Sequence, residues 1–538
     1  MKQALVGGTV ADVYTGTWVT ANVEFEDGVI TYVGPREPAC AAIDLAGKVL
    51  VPGYIEPHTH PWCLYSPTSL LEVAVPDGTT TLVYDNLFFF LSHGVDGLRT
   101  IVDALRAAPA HIRWVARISP QSAYPDEAER FAIDKIAPML SWPEVVASGE
   151  ITNWMSVARS ESRVAAGIAA AKAARRRVEG HNAGASYNRL NELSLAGISA
   201  DHEAITAAEA LDRLRLGMWT MLRQSSLRPD LPELLDGLHE VIGSARRLMF
   251  TTDGAVPSFY AANGMIGGCL RIASDLGIAP MRALQMATID PATFLGLDEE
   301  LGGVAPGRHA TLNVLSAPGE WRPELVLVKG EIVARDGALL EAPPTISWPS
   351  GPRLTAPETF TPLTGRQPVA RYESAVINRR VDREVRPDDV QAALVGRDGT
   401  WITRGVIENF LDTPGFATTA TTSLELLVLG TDPAAMARAA RRVAEMGGGF
   451  AFDGGWSAPL EIDGLIARGG YQDALAIERD LTREMERAGY PFHDPLYSLL
   501  FASGDFLPEV RLTPRGVLEV KTRTVLEGPS RIDTVSPR

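Results

Sequence analysis

Short apolar runs alternate with stretches of helical periodicity across residues 51–303. Alternation of this kind is typical of parallel strands joined by crossover helices. The number of runs is close to eight, which favours a closed (β/α)8 barrel of the TIM type over an open sheet. The predicted strands include residues 79–84, 112–118, 177–180, 197–200, 217–222 and 247–251, with helices such as 162–174 and 207–216 between them.

The residues on either side of this block have a different pattern, in which apolar and polar positions alternate one by one. Residues 21–25 and 29–33 flank Asp27-Gly28, a dipeptide typical of hairpin turns. Similar strand patterns return at 310–315 and 325–333. The simplest interpretation is one small β domain made of residues 1–50 plus 304–342, with the barrel of residues 51–303 inserted into it.

Residues 343–368 contain seven prolines and are predicted to form an extended linker. After the linker, residues 369–538 combine strand patterns with two helical segments, 433–446 and 471–488. We therefore expect an α/β protein with a TIM-like barrel, a small β domain and a C-terminal α+β domain.

Composition and charge limit the kinds of partner and compartment that we expect for this chain. The chain of 538 residues has a formal net charge of −16 and is 46% hydrophobic, so nucleic acid and anionic membrane are not expected partners. Its three cysteines are far apart and form no CxxC pair, which favours a reducing compartment. The N-terminus lacks the apolar core of a signal peptide, and no apolar run reaches the length of a membrane span. We expect a cytoplasmic protein.

Four histidines occupy positions that suit metal ligands. His58 and His60 end the first predicted strand, and side chains two residues apart on a strand point to the same side. His181 and His202 are 21 residues apart, about one strand–helix unit, and so are expected at the ends of neighbouring strands. The competing interpretations are a solvated loop for the first pair and satisfied core residues for the second.

Two acidic residues complete the predicted cluster. Asp253 follows a strand and is placed to bind a metal and accept a proton from water, although a helix cap is the alternative. Glu150 ends the fourth predicted strand, where its carboxylate could bridge two cations and offset their repulsion. Glu203 is expected to point away from the metals if strand alternation continues past His202, and to support either the ligands or the fold. Cys63 is expected to be a buried bystander. Nitrogen and oxygen donors in this combination favour a divalent transition metal and a hydrolase.

Several motifs in this chain together resemble the amidohydrolase superfamily, and within it the microbial adenine deaminases. The resemblance implies a binuclear centre of Mn²⁺, Fe²⁺ or Zn²⁺, release of ammonia from an aminated heterocycle, and a homo-oligomer. The matching segments are residues 51–60, 78–81, 149–153, 180–184, 197–203, 214–218, 286–292, 396–399 and 446–449.

Two segments depart from the family pattern. The deaminases carry Asp-Pro-His-Glu after the second strand, where this chain has Asp85-Asn86-Leu87-Phe88. Their C-terminal His-Asp-Ser-His-Asn is replaced here by residues 421–425, Thr-Thr-Ser-Leu-Glu. The metal ligands are thus kept while the polar surroundings change, and apolar pockets discriminate weakly between substrates. We expect a small heterocyclic or aromatic substrate, in a pocket that includes Trp62, Asp85, Phe88 and Asn182.

Three functional hypotheses remain open from the sequence. The first is deamination of an aminated heterocycle by metal-activated water, with Asp253 and Glu150 as catalytic residues. The second is hydrolysis of a cyclic or aryl amide bond in a more apolar substrate. The third is a metal-loaded scaffold that binds a ligand without turnover, which the complete ligand set argues against.

Overall fold

The first part of the chain forms strands of a twisted sheet. In the computed structural model, which describes residues 2–532, Asp27 and Gly28 make the predicted turn between the second and third strands. The first strand pairs antiparallel with the second and parallel with the fourth and fifth. These strands are β1 (Gln3–Asp12), β2 (Thr17–Glu26), β3 (Val29–Gly34), β4 (Ala41–Asp44) and β5 (Val49–Pro52).

The next eight strands form a parallel sheet in which each strand pairs with its successor. The sheet closes on itself between its first and last strands, through a parallel bridge that joins Thr59 to Asp253. The His60 amide donates to the Asp253 carbonyl across the same seam at 3.1 Å. The predicted (β/α)8 barrel is therefore confirmed. Its strands are β6 (Tyr54–Thr59), β7 (Thr79–Asp85), β8 (His111–Ala116), β9 (Val145–Ile151), β10 (Arg177–Gly180), β11 (Ile198–Asp201), β12 (Trp219–Arg223) and β13 (Leu248–Thr251).

Helices follow the barrel strands and cover the outside of the barrel. Helix α8 (Ala207–Arg215) begins with a capping box, in which the Thr206 hydroxyl accepts a hydrogen bond from the Glu209 amide. No helix within residues 2–532 is long and apolar enough to cross a bilayer. The helices are α1 (Leu71–Ala74), α2 (Leu87–Ala104), α3 (Glu127–Arg130), α4 (Ile133–Leu140), α5 (Trp154–Ala158), α6 (Ser162–Ala173), α7 (Tyr187–Ala196), α8 (Ala207–Arg215), α9 (Leu231–Ile242), α10 (Pro257–Asn263), α11 (Ile266–Asp275), α12 (Pro280–Ala287) and α13 (Ile289–Leu295), with a 3-10 turn at Leu105–Ala107.

After the barrel the chain returns to the first sheet. Strand β14 (Leu312–Leu315) pairs antiparallel with β5, and the other three returning strands follow it in chain order towards the edge of the sheet. The small sheet is therefore built from both flanks of the barrel, as the repeated strand pattern predicted. The returning strands are β14 (Leu312–Leu315), β15 (Leu325–Val328), β16 (Glu331–Arg335) and β17 (Ala338–Leu339).

Residues 342–364 contain no helix or strand, in agreement with their high proline content. The C-terminal region then forms a nine-stranded sheet and a separate three-stranded sheet. Its helices cover the larger sheet or face the barrel. The elements are β18 (Arg366–Tyr372), β19 (Asn378–Glu384), β20 (Val390–Val395), β21 (Trp401–Glu408), β22 (Phe416–Thr418), β23 (Leu426–Gly430), α14 (Pro433–Met446), β24 (Gly449–Phe452), β25 (Ser457–Pro459), α15 (Tyr471–Arg487), α16 (Pro495–Leu500), β26 (Val510–Thr513), β27 (Gly516–Glu519), β28 (Thr524–Glu527) and β29 (Ser530–Arg531), with a 3-10 turn at Phe501–Ser503.

Apolar side chains fill the lower part of the barrel interior. Ile55, Val83, Val115 and Met221 come from four different strands and belong to one buried cluster, which Phe294 of α13 also joins. This packing leaves only the carboxyl ends of the strands free for polar side chains, and these ends carry the active sites of barrel enzymes.

The C-terminal region packs against this end of the barrel. Tyr471 stacks on Tyr65 with ring centroids 5.9 Å apart, and its hydroxyl donates to the Pro257 carbonyl at 2.8 Å. A hydrogen bond of 2.9 Å joins Nε2 of His93, in α2, to Oδ2 of Asp463. The mouth of the barrel is therefore covered by residues that lie far away in the sequence.

Close packing at Gly53, between β5 and β6, gives a testable prediction for the fold. A Cβ at this position would lie 2.0 Å from the Thr80 hydroxyl oxygen. We expect Gly53→Ala to destabilise the protein by about 1–3 kcal/mol through overpacking, and to lower the melting temperature followed by circular dichroism.

Gly243, at the end of α9, is the matched control. It has helical backbone angles, and a Cβ there would meet nothing within 4 Å. Gly243→Ala should leave the melting temperature unchanged or raise it slightly. Equal melting temperatures for the two variants would contradict the tight approach of β6 to β7.

Candidate metal centre

The predicted ligands converge at the carboxyl ends of the barrel strands. His58 lies on β6 and His60 directly after it, Glu150 lies on β9, and His181 and His202 follow β10 and β11. Asp253 lies two residues after β13. All of these side chains are buried except those of His181 and Asp253, which are 12% and 16% exposed. The structure therefore brings the six residues together at one end of the barrel.

One half of the cluster is made by the first and last strands. His58, His60 and Asp253 hold donor atoms that all lie within 4.8 Å of one another. Asp253 Oδ1 is 2.9 Å from His60 Nε2 and 3.3 Å from His58 Nε2. This trio brings together two imidazoles and one carboxylate, a donor set that suits a divalent transition metal.

Glu150 connects this half to the other. Its Oε2 lies 3.7 Å from His60 Nε2, while its Oε1 lies 2.5 Å from His181 Nδ1 and 3.3 Å from His202 Nε2. One carboxylate oxygen thus faces each pair of imidazoles. His181, His202 and Glu203 form a further group of donors within 4.8 Å of one another.

Glu179 on β10 fixes two of the imidazoles from behind. Its carboxylate lies 3.1 Å from His58 Nδ1 and 2.9 Å from His202 Nδ1, so both rings turn Nε2 towards the centre of the cluster. Burial alone would raise the pKa of Glu179, but the two imidazoles lower this pKa to about 2. A carboxylate that stays ionised behind a histidine holds the ring in one tautomer and strengthens it as a ligand.

The cluster fits divalent metal ions on its own chemistry. Within residues 2–532, Nε2 of His58 and Nε2 of His202 are buried without a hydrogen-bond partner. Buried polar atoms normally find a partner, and both of these nitrogens face the centre of the cluster, so they fit a bound cation. Ring nitrogens together with carboxylate oxygens match the preferences of Zn²⁺, Fe²⁺ and Mn²⁺.

Glu56 holds the seam of the barrel together beneath the histidines. Its two oxygens accept hydrogen bonds from the His58 amide at 3.1 Å, the Thr252 amide at 2.8 Å and the Thr251 hydroxyl at 2.7 Å. Burial raises the pKa of Glu56 to about 7, although these hydrogen bonds lower it. The same side chain therefore links the strand of His58 to the strand that leads to Asp253.

Glu203 lies beside the cluster. We expected alternation along the strand to turn it away from the cluster, but β11 ends at Asp201 and the alternation ends there too. Its Oε1 lies 3.5 Å from His181 Nδ1, and it pairs with Arg223 at the end of β12. Arg223 also donates to Asp253 Oδ2 at 3.0 Å, so it links the two carboxylates.

Asp85 lies beside the cluster and pairs with a residue that the sequence reading missed. Arg117, which follows β8, is fully buried and pairs with Asp85 Oδ2. It also donates to Glu150 Oε2 at 2.7 Å and to the Glu150 carbonyl at 2.5 Å. Asp85 is thus fully buried and paired with an arginine, and it does not line the cavity.

A small cavity of about 70 Å³ opens directly onto the cluster. Of the predicted pocket residues, Trp62 lines it. Phe88 lies behind Trp62, with ring centroids 4.2 Å apart, and Asn182 is fully buried beside β11, with its amide donating to Asp201. Residues 85–88, which replace the family motif, therefore pack behind the wall of the cavity and do not line it.

The C-terminal region supplies the roof of this cavity. Phe506 packs edge-on against His181 with centroids 5.2 Å apart, and Tyr497, Phe501 and Leu507 also line the cavity. Arg511, fully buried, donates to the carbonyls of Leu507 at 3.1 Å and Pro508 at 2.9 Å, which fixes the roof loop.

Sequence reasoning missed these roof residues and the polar residues Gln121 and Arg223. The roof residues are more than 240 positions from the ligands, and no local pattern links the two. Arg117 and Arg223 could have been found from their positions in the strand pattern, since each stands at the end of a barrel strand.

Comparison with known proteins identifies the family of this chain. Residues 49–333 match the model of the amidohydrolase family, and residues 369–524 match the adenine deaminase C-terminal domain. This chain belongs to the amidohydrolase family. It is 34% identical to "Putative adenine deaminase YerA" of Bacillus subtilis (strain 168) over 96% of this chain and 93% of that protein. It is 28% identical to the "Adenine deaminase" of Moorella thermoacetica over 95% and 93%.

The fold likeness extends to solved structures. The β-aspartyl dipeptidase of Fervidobacterium islandicum AW-1 superposes with a TM-score of 0.50 at 16% identity, over 63% of this chain and 99% of the dipeptidase. Family membership confirms the predicted class: the amidohydrolase chain is a metal-dependent hydrolase of C–N bonds other than peptide bonds. The hypothesis of a binding scaffold without turnover is set aside by this membership.

The position of Glu179 gives a prediction for metal binding. Glu179→Gln removes the charge that fixes His58 and His202, and we expect metal affinity to fall about 10–100-fold. The measurement is metal content by mass spectrometry after equilibration against buffered free Mn²⁺ and Zn²⁺.

Glu478→Gln is the control, because Glu478 is also buried and bonds to Ser258 instead of an imidazole. This variant should keep the metal affinity of the unmodified protein. Unchanged affinity in Glu179→Gln would show that the two rings need no support from behind.

Proposed function

We propose that this amidohydrolase binds two divalent metal ions and deaminates an aminated heterocycle of the adenine type, releasing ammonia. The observation that supports this most strongly is the placement of Glu150, with one oxygen towards His60 and the other towards His181 and His202. A single carboxylate placed between two groups of imidazoles is what a pair of cations requires, because the anion offsets their repulsion.

In this proposal each metal ion has its own ligands. His58, His60 and Asp253 would hold one ion, and His181 and His202 would hold the other, with the Glu150 carboxylate between the two groups. The donor set accommodates Mn²⁺, Fe²⁺ and Zn²⁺. Metal ions in such a site lower the pKa of water to near neutrality and stabilise charge on the reacting centre.

Asp253 is the proposed proton carrier. Its Oδ2 is held by Arg223 at 3.0 Å, while Oδ1 faces His58 and His60. In the reaction the oxygen of water bonds to the ring carbon and the carbon–nitrogen bond breaks. Asp253 takes a proton from the water and gives it to the departing nitrogen, so that ammonia leaves and an oxo group remains on the ring.

The rest of the cavity suits a flat ring. Trp62, Phe501 and Phe506 line it, and aromatic side chains stack favourably on planar heterocycles. The cavity of about 70 Å³ is far smaller than the ~300 Å³ at the lower end of typical ligand sites. Admission of a substrate therefore requires an outward movement of the roof loop.

Relatives named as adenine deaminases favour deamination over the alternative, cleavage of a cyclic or aryl amide. The proposed domain limits remain 1–50 plus 304–342, 51–303 and 369–538, with residues 343–368 as the linker. Three free cysteines fit a reducing cytoplasm as the place of reaction.

The test is direct. Enzyme loaded with Mn²⁺ is incubated with adenine, and we expect equimolar ammonia and the corresponding oxopurine, measured by a coupled ammonia assay and chromatography. Asp253→Asn should lower kcat by about 10²–10⁴-fold, because the proton carrier is lost. Removal of metal with a chelator should abolish activity, and Mn²⁺ should restore it.

Asp336→Asn is the matched control for the aspartate. Asp336 shares the positive φ of Asp253, 49° against 55°, but it is exposed and lies in the turn between β16 and β17. Its variant should keep full activity. A new carboxylate in the product would indicate amide cleavage, and full activity in Asp253→Asn would contradict the proposed proton transfer.

A further inference from the structure

Gln121 is a buried side chain whose hydrogen bonding is incomplete. It follows the third barrel strand, is 3% exposed and lines the cavity next to Glu150. Its Nε2 donates to Glu150 Oε2 at 3.2 Å. Its Oε1 is buried and has no hydrogen-bond partner anywhere in residues 2–532.

The chemistry of the two partners fixes the orientation of this amide. An ionised carboxylate only accepts hydrogen bonds, so the NH2 end of Gln121 must face Glu150. The carbonyl end is then held as an acceptor at the edge of the cavity. A buried acceptor left unpaired costs about 1–3 kcal/mol, so a ligand that donates a hydrogen bond there gains by satisfying it.

The backbone around Gln121 is held by the C-terminal region. The Asp505 amide donates to the Gln121 carbonyl at 3.0 Å, and the Ser122 hydroxyl donates to the Ser503 carbonyl at 2.7 Å. Phe506, which packs on His181, follows directly after this contact. The amide is therefore fixed in place by the same loop that roofs the cavity.

Another residue of the cavity wall carries an unpaired donor. Arg223 gives Nη1 to Glu203 and Asp253 and holds Nη2 4.0 Å from Asp230 Oδ2, while its Nε is buried without a hydrogen-bond partner among the described residues. The cavity therefore offers a free acceptor beside the proposed metal centre and an unpaired donor on another residue of its wall. Aminated heterocycles carry the complement, an exocyclic N–H donor together with ring nitrogens that accept.

We propose that Gln121 determines specificity by accepting a hydrogen bond from the exocyclic amine of the substrate. This inference rests on the proposed deamination. It identifies the substrate class as heterocycles with a free primary amine on the carbon that is attacked. Rings that lack the amine leave the Gln121 carbonyl unpaired and bind less well, since sites built to hydrogen-bond an N–H discriminate strongly against analogues without it.

The experiment uses pairs of ligands that differ only in the amine: adenine with purine, and 4-aminopyrimidine with pyrimidine. Binding to the metal-loaded full-length enzyme is measured by calorimetry, and release of ammonia is measured in a parallel assay. We expect the unmodified enzyme to bind at least one amine about 10-fold or more tightly than its partner ring. In Gln121→Met, which keeps the length of the side chain, this preference should fall to near unity while the affinity for the unsubstituted ring stays the same.

Gln224→Met is the matched control. Gln224 lies one residue beyond β12, and its side-chain oxygen is also buried and unpaired, but it does not line the cavity. This variant should keep the preference for the amine. A merely structural role for Gln121 would weaken both members of a pair equally, and that result would overturn the inference.

The outcomes separate this inference from the proposed function. An enzyme that prefers the amines, loses this preference in Gln121→Met and releases no ammonia retains Gln121 as the residue that binds the amine and refutes the deamination. An enzyme that releases ammonia from adenine, yet keeps its amine preference in Gln121→Met, refutes the role of Gln121 and leaves the deamination standing. Equal binding of amine and ring by the unmodified enzyme, in both pairs, overturns the inference.

Discussion

The whole active site depends on keeping buried ionised groups paired with one another. Carboxylates taken out of water cost several kcal/mol each unless charged partners and hydrogen bonds compensate. Glu179 meets this requirement by contacting His58 and His202, and Glu150 by contacting Arg117 and the histidines. Each charged side chain therefore holds another in place, and the cluster depends on all of these pairs together.

The barrel is what makes this pairing possible. Eight strands end at one rim, so each contributes a side chain to the same small volume. Glu56 ties the first strand to the segment that leads to Asp253, and Arg223 ties the seventh to the eighth. The pairing is thereby distributed around the rim, and it sets the positions of the histidine nitrogens before any ligand arrives.

The sequence predicted the parts of this arrangement that follow from local periodicity. His58 and His60 share a face because strands alternate, and His181 and His202 were placed by the spacing of one strand–helix unit. Glu203 would point away from the histidines only if the strand continued, but the strand stops at Asp201, and strand ends are the least certain feature of any periodic pattern. The roles of Gln121 and Phe506 depend on contacts between distant segments, such as that of Asp505 with Gln121, and periodicity carries no information about these.

The order of the segments along the chain has a consequence for biosynthesis. The ribosome delivers every barrel strand before it makes the loop that contains Phe506 and Leu507, which Arg511 anchors. Domains fold largely in the order of synthesis. A nascent barrel can thus gather its histidines early, but it has no enclosed chamber for chemistry until the last segments of the polypeptide emerge. The enclosed cavity is therefore complete only after the last segments have been made.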